Sequence, residues 1–157
     1  RFYTSSERWL NVFKIVENTI RLDGLYDDVL KDRHGAVVTF AGVVRDHSGN
    51  KKTQYLEYEA YAPMAEKKMA QIGTEVGDKW GVEDIAILHR IGRLEIGEIS
   101  VLIAVASPHR HEAIQACHYA IDRLKEIVPI WKKEVGENGE YWVEGPTKAS
   151  EKDHNDP

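Results

Sequence analysis

The stretch SPHRHEAIQACHYAIDRLKEIVPIWKKE, residues 107–134, passes from the end of an apolar run into a helix and out into a strand, and its reading decides the fold. Ser107-Pro108 is a helix-start signal. Ser107 predicts an N-cap, and Pro108 suits the first helical position, where its missing N–H costs nothing. Ala113, Ala116, Cys117, Ala120, Leu124 and Val128 recur at helical spacing on one side, with His111, Gln115, His118, Asp122 and Lys125 on another. Pro129 stops the pattern, so a helix is predicted over 107–128. Beyond it, residues 130–135 and 141–144 read as short strands joined by a hairpin loop at 136–139.

Working outward, GAVVTFAGVVR at 35–45 is β-branched and continuous, as a buried strand should be, and it ends at a polar turn over 46–52. Residues 55–61 alternate, with Leu56, Tyr58 and Ala60 on one face and Glu57 and Glu59 on the other, which predicts a half-buried strand. Pro63 opens a helix carrying Met64, Met69, Ile72 and Val76, and Gly81 ends it. Residues 85–91 and 99–106 read as two strands of a hairpin turned by 92–98. Weaker signals predict a short helix over 24–31 and a strand beginning among Trp9, Val12, Phe13, Ile15 and Val16. Helices intermixed with mostly antiparallel strands make an α+β fold, a single domain with two principal helices. Residues 1–10 read as a flexible N-terminal segment, 11–144 as the domain, and the polar residues 145–157 as a mobile tail.

The 157 residues, 42% hydrophobic, are enough for one core. No apolar run is long enough to cross a bilayer and no stretch reads as a secretion signal, so a cytoplasmic protein is expected. Cys117 is the sole cysteine, which excludes an internal disulfide and any multi-cysteine metal site, and its place on the apolar side of the helix makes it a core residue. His109, His111 and His118 diverge around the helix without a carboxylate-rich or thiolate partner, so no metal site is read from them. A net charge of -5 argues against nucleic acid as a partner. Residues 107–134 are nonetheless about +1 and the remainder about -6, a local cationic site suited to a small anion.

Three places in the chain can carry chemistry. His109 and Arg110 fall in the first turn of the predicted helix, where free N–H groups, the helix dipole and a guanidinium fork all favour a phosphate. Lys125 lies near the end of the same helix and Lys132 follows the Pro129 break, which can fold the second lysine back beside the first. Two ammonium groups held close lower each other's pKa and free one amine as base or nucleophile, whereas a Lys125–Asp122 pair on a solvated helix face is the plain alternative. Arg45 ends a buried strand, a position that serves binding as readily as it marks where the sheet meets water.

Taken in order, GAVVTFAGVVR (35–45), LEYEAYAPMA (56–65), HRIGRLEIGE (89–98), SPHR (107–110), LK (124–125) and PIWKKE (129–134) resemble the large, catalytic subunit of molybdopterin synthase, the MoaE-like family, over residues 35–144. The order and spacing of these motifs carry the likeness. It implies a hammerhead-like α+β domain and a sulfurtransferase that converts cyclic pyranopterin monophosphate, precursor Z, into molybdopterin by installing two dithiolene sulfurs. The sulfur would come from the C-terminal Gly-Gly thiocarboxylate of a small ubiquitin-like subunit. Two large subunits would form a homodimer, with one small subunit at each end of a heterotetramer, and no cofactor, metal, nucleic acid or membrane is implied. Residue by residue, Val43, Val44, Arg45, His109 and Arg110 would hold the phosphate and pterin. Lys125 would be the main catalytic group with Lys132 beside it, and Lys133 and Glu134 would line the same site. Ile114 stands where an aromatic residue is common in this family, and Asp46 where a neutral amide is, both of which bear on pocket shape. A helix over 107–128 is about 30 Å long, too long for one small substrate to touch both ends. His109 and Arg110 of one subunit are therefore expected to face Lys125 and Lys132 of the other. A non-catalytic module that uses Arg45 and Arg110 to bind a phosphorylated metabolite would have no use for Lys125 in a buried pocket, and a stand-alone hydrolase or lyase acting on a phosphorylated heterocycle would need no protein partner.

Overall fold

The structure, a computed structural model, describes residues 12–23, 30–137 and 139–144. In chain order the elements are β1 (Val12–Val16), β2 (Ala36–Val43), β3 (His47–Ser48), β4 (Lys51–Lys52), β5 (Tyr55–Ala60), α1 (Ala62–Trp80), β6 (Asp84–Arg90), β7 (Gly92–Glu95), β8 (Ile99–Ser107), α2 (Arg110–Ile127), β9 (Ile130–Gly136) and β10 (Gly139–Glu144). The expected α+β class is what the described residues adopt, with two helices and strands that pair antiparallel everywhere except between β1 and β6.

The first sheet has the order β1-β6-β8-β2. Its central strand β8 has buried residues over nearly all its length, because the helices cover one face and Ile20 packs on the other. This is why the run reads as unbroken apolar sequence rather than as an alternation. Ile85, Ile87, Val101, Ile103 and Val105 face the helices, where Met69, Ile72, Val76, Ala116, Ala120 and Leu124 pack on them. Ala86, Leu88, Leu102, Ala104 and Ala106 face the other way. Truncating Ile72 or Ile103 to Ala in such a core costs about 2–5 kcal/mol. Gly73 leaves room for the ring of Phe13, which lets β1 lie close to α1.

The second sheet has the order β10-β9-β5-β7, and β3 with β4 forms a small separate hairpin. Two sequence expectations change here. Residues 92–98 are more than a turn between β6 and β8, although those strands do pair antiparallel from Asp84↔Ala106 to His89↔Val101. Gly92, at φ 95, bends the chain out of the first sheet, and β7 then pairs with β5 in the second. The fully buried Leu94 packs there against Val44, Leu56 and Tyr58. A single residue, Ile91, separates the two sheets along the chain.

The second change is at the start of α2. Ser107 is the last residue of β8, buried and paired with Ala36, and its carbonyl accepts the Gly35 N–H at 3.1 Å. Held in that ladder it cannot cap the helix, so His109 is the N-cap, with no side-chain capping bond, and the helix begins at Arg110. The other end agrees with expectation: Val128 is the C-cap and Pro129 follows. For α1 the left-handed C-cap is Gly81, at φ 68, with its N–H on the Gly77 carbonyl. The helix expected over 24–31 falls mostly on residues 24–29, outside the described residues, as do Trp9 and residues 145–157. Among the described residues no helix is long and apolar enough to cross a membrane.

The buried carboxylate of Asp84, 1% exposed at the start of β6, accepts from Lys31 at 2.6 Å, Arg33 at 3.1 Å and His34 at 2.8 Å. It ties the segment before β2 to the first sheet. Between the helices, Glu75 accepts from Arg123 and Tyr119, and Trp80 meets Tyr119 edge-on.

Candidate functional site

A narrow cavity opens where the end of β2 meets the second sheet, lined by Val43, Arg45, His47, Thr53, Leu56, Lys132 and Glu134. Its enclosed space is about 10 Å³, room for roughly one water. A larger ligand would therefore rest over the mouth.

Each lining residue is placed by a local rule. The β2–β8 register shifts between Gly42 and Val43, with Ser100 as the extra residue on β8 and its hydroxyl donating to the Gly42 carbonyl at 3.2 Å. Bulges of this kind re-aim the neighbouring side chain, here Val43, which is 41% exposed and lines the cavity. Val44 turns inward as an anchor, 3% exposed, its N–H on the Glu98 carbonyl and its own carbonyl taking the Gly97 N–H. Arg45 then returns to the cavity.

On β9 the period of two decides which residues share the site. Lys132 and Glu134 face inward, 6% and 5% exposed, across from Tyr58 and Leu56 of β5. Burying an ammonium and a carboxylate on the same strand face keeps the pocket near charge balance, which lone buried charges could not do. Lys133 points to the opposite face, bonded to Glu57 at 2.9 Å and Glu140 at 3.3 Å and lying over the Trp142 ring. The hydrogen bond to Glu57, then that to Glu140, raises its pKa and fixes it as a cation.

Lys125, in the last turn of α2, approaches the same junction from the helix side. Its charge is felt by His89, a wholly buried ring at the end of β6 that packs edge-on against Tyr58 with centroids 5.0 Å apart. Burial, opposed by the hydrogen bond to the Arg90 carbonyl and reinforced by Lys125, pulls the His89 pKa down to about 4. Because a carbonyl only accepts, His89 Nδ1 carries the hydrogen at that 2.8 Å contact. Lys125 and Lys132 are thus linked through neighbours: Lys125 acts on His89, His89 packs on Tyr58, and Tyr58 lies opposite Lys132. A wider open cleft of about 490 Å³ lies against Tyr58, lined also by Glu59, Ala60, Arg90 and Arg93.

His109 and Arg110 are elsewhere. Both are exposed at the other end of α2, and fifteen residues of helix put Arg110 about 22 Å from Lys125 along the axis. Within one chain the structure therefore groups Val43, Arg45, Lys132 and Glu134 around the cavity, sets Lys125 where its charge reaches His89, and leaves His109 and Arg110 apart. Cys117 is a core residue, its thiol pushed up to about 11 by burial. Among the described residues no group of three or more His, Cys, Asp or Glu side chains is arranged to hold a metal ion.

Sequence reasoning gave His47, Thr53, Tyr58 and His89 no part in the site. His47 and Thr53 sit at or beside a polar turn. The only local signal was a His-Asp neighbour pair directly after Arg45.

Comparison with known proteins follows the same lines. The family model described as MoaE protein matches residues 15–127. The molybdopterin synthase catalytic subunit of Halalkalibacterium halodurans is 53% identical over 131 residues, covering 83% of this chain and 84% of that protein. A crystal structure of molybdopterin synthase from Staphylococcus aureus superposes with a TM-score of 0.80 at 53% identity, covering 84% of this chain and 96% of that one. A Helicobacter pylori structure, described as a complex of subunits 1 and 2 of molybdopterin-converting factor, superposes with a TM-score of 0.72 over 86% of this chain and 92% of that one. At 22% identity that likeness shows the fold.

Proposed function

Because this chain belongs to the MoaE family of molybdopterin synthase catalytic subunits, we propose that it is a sulfurtransferase that installs both dithiolene sulfurs on cyclic pyranopterin monophosphate, drawing each from the C-terminal thiocarboxylate of a small Gly-Gly-ended partner. The observation that carries this reading is the grouping of Arg45, Lys132 and Glu134 around one cavity, with Lys125 near enough to His89, the ring packed on Tyr58, for its charge to act there.

The physical case runs from charge to chemistry. Arg45 offers a guanidinium fork to the substrate phosphate. The Lys125 amine serves as general acid or base during thiocarboxylate attack, opening of the cyclic phosphate and loss of water. Lys132, fixed on a strand within a low-dielectric pocket, stabilises the negative charge that develops. Glu134 offsets the Lys132 charge and leaves Arg45 as the pocket's net cation, and the neutral His89 ring adds no competing cation beside Lys125.

The partner's tail suits the cleft against Tyr58. Glycines have no side chains to clear its walls, and an extended Gly-Gly segment spans about 7 Å. Since Arg110 lies about 22 Å from Lys125 in one chain, a complete site takes His109 and Arg110 from a second copy. The assembly is then a homodimer of this chain with one small subunit at each end.

The test is direct. The chain is mixed with thiocarboxylated partner and cyclic pyranopterin monophosphate, and molybdopterin is measured. The unaltered chain should turn over, and Lys125→Ala should fold and bind the partner without turning over. Normal product formation by Lys125→Ala would sink the assignment.

A further inference from the structure

We propose that His47, held by Asp46, is a second anion-binding residue of the cavity and contacts the substrate phosphate beside Arg45. The proposal rests on the reading above that a phosphorylated pterin binds over the mouth of this cavity.

His47 lines the same cavity as Arg45, Lys132 and Glu134. Its Nδ1 lies 2.7 Å from Asp46 Oδ1. Asp46 is ionised, its pKa lowered by the hydrogen bond and charge of His47, and an ionised carboxylate only accepts, so Nδ1 carries the hydrogen. The ring's other nitrogen, Nε2, is left for a ligand. As an imidazolium, His47 would donate Nε2–H to a phosphate oxygen, a charge-assisted bond stronger than a neutral one.

The ring is also held in place from behind. His47 pairs with Lys52 across the β3–β4 hairpin, and the Thr53 N–H donates to the Asp46 carbonyl at 2.8 Å. The Gln54 N–H donates to Val135 on β9, and Gly136 lies hard against the Lys52 carbonyl. A hairpin pinned at its base in this way fixes the backbone of His47 beside the cavity, and the Asp46 bond holds its ring.

Charge supports the same assignment. The groups around His47 are Asp46 beside it, Lys52 across the hairpin, and Arg45, Lys132 and Glu134 in the cavity. A free carboxylate at Asp46 would repel a phosphate, and pairing with His47 turns it into support for a cation there. The pair is exposed, 62% and 75%, and such pairs add little to folding stability by themselves. Its effect belongs to the bound state.

The experiment is steady-state turnover with thiocarboxylated partner, varying the cyclic pyranopterin monophosphate. His47→Ala should raise KM about tenfold, with a smaller change in kcat. His47→Gln, which keeps a donor on a similar arm, should recover part of that loss. Asp46→Asn should raise KM in the native background and should not raise it in the His47→Ala background, where the unpaired carboxylate only repels the phosphate and its loss lowers KM. Superimposable melting curves establish that each variant is folded. A native KM in folded His47→Ala, or an Asp46→Asn rise in KM that persists without His47, overturns the proposal. Absence of turnover in the unaltered chain would instead overturn the sulfur-transfer reading itself.

Discussion

Replacing Gly136 with Ala should lower stability and weaken substrate binding together. A Cβ at this position would lie 2.5 Å from the Lys52 carbonyl oxygen, where ordinary contact begins near 3.4 Å. The β3–β4 hairpin must then retreat by the difference, about 0.9 Å. Two opposing terms set the outcome. Removing a glycine from the unfolded chain favours folding by about 0.4–1 kcal/mol. Overpacking against fixed backbone costs about 1–3 kcal/mol, because the Lys52 carbonyl belongs to a segment tied to β9 two residues on by the Gln54–Val135 bond and cannot swing aside like a side-chain tip. The clash wins by about 1–2 kcal/mol, which for a chain of this size is a drop in Tm of about 5 °C. The displaced hairpin carries His47 and Thr53, so KM should rise in the same variant. Calorimetric melting and turnover kinetics measure the two effects on one preparation. A Tm equal to or above that of the parent would refute the close approach on which the reasoning depends.

Three further outcomes follow from other parts of the fold. Asp84→Asn leaves Lys31, Arg33 and His34 without their buried anion and should cost about 3 kcal/mol in urea unfolding, whereas a loss below about 0.5 kcal/mol would mean that the cluster does not hold the segment before β2. Burial pushes the Glu75 carboxyl up, but hydrogen bonds from Arg123, Tyr119 and Gln71 outweigh it and bring the pKa to about 2. Its stabilisation is therefore fully present above the ordinary value of 4.5 and is lost as pH falls toward 2, so Glu75→Gln should flatten the acid limb of a stability-against-pH curve; an unchanged limb would exclude the network. Equal amounts of Arg110→Ala and Lys125→Ala chains, each inactive alone, should regain about one quarter of native turnover after subunit exchange, since half the dimers then hold one intact site. No recovery would show that each site is built within one chain.

What could be read from the sequence depended on range. Residues 107–128 and 62–80 declare themselves as helices because the apolar period and the Pro and Gly stops are local, and residues 35–43 as a strand because β-branching and continuity are local too. Ser107 misleads because its fate is decided by Ala36 and Gly35, some seventy residues earlier, whose ladder overrides the capping preference. Residues 92–95 look like a turn because the reason for β7, the buried Leu94 against Val44 and Leu56, lies in another sheet. The site divides the same way. The lysine motif was visible, yet its residues part across two faces of β9, which the period of two settles only once the strand is known. His47 was hidden in a polar turn, since only its closeness to Arg45 and Lys132 gives it significance.

Ile91 is the only residue between β6 and β7, so one bend of the chain carries it from the first sheet into the second, with Gly92 supplying the backbone freedom at φ 95. The cavity draws on both sheets: Val43 ends β2 of the first, with Arg45 just beyond it, and Leu56, Lys132 and Glu134 come from β5 and β9 of the second. The width of the reaction space is thus a dihedral quantity, set by the angle between two plates. A substitution in the packing of Leu94 or Val44, touching no reactant, would act as a lever on that angle and move two half-sites relative to each other.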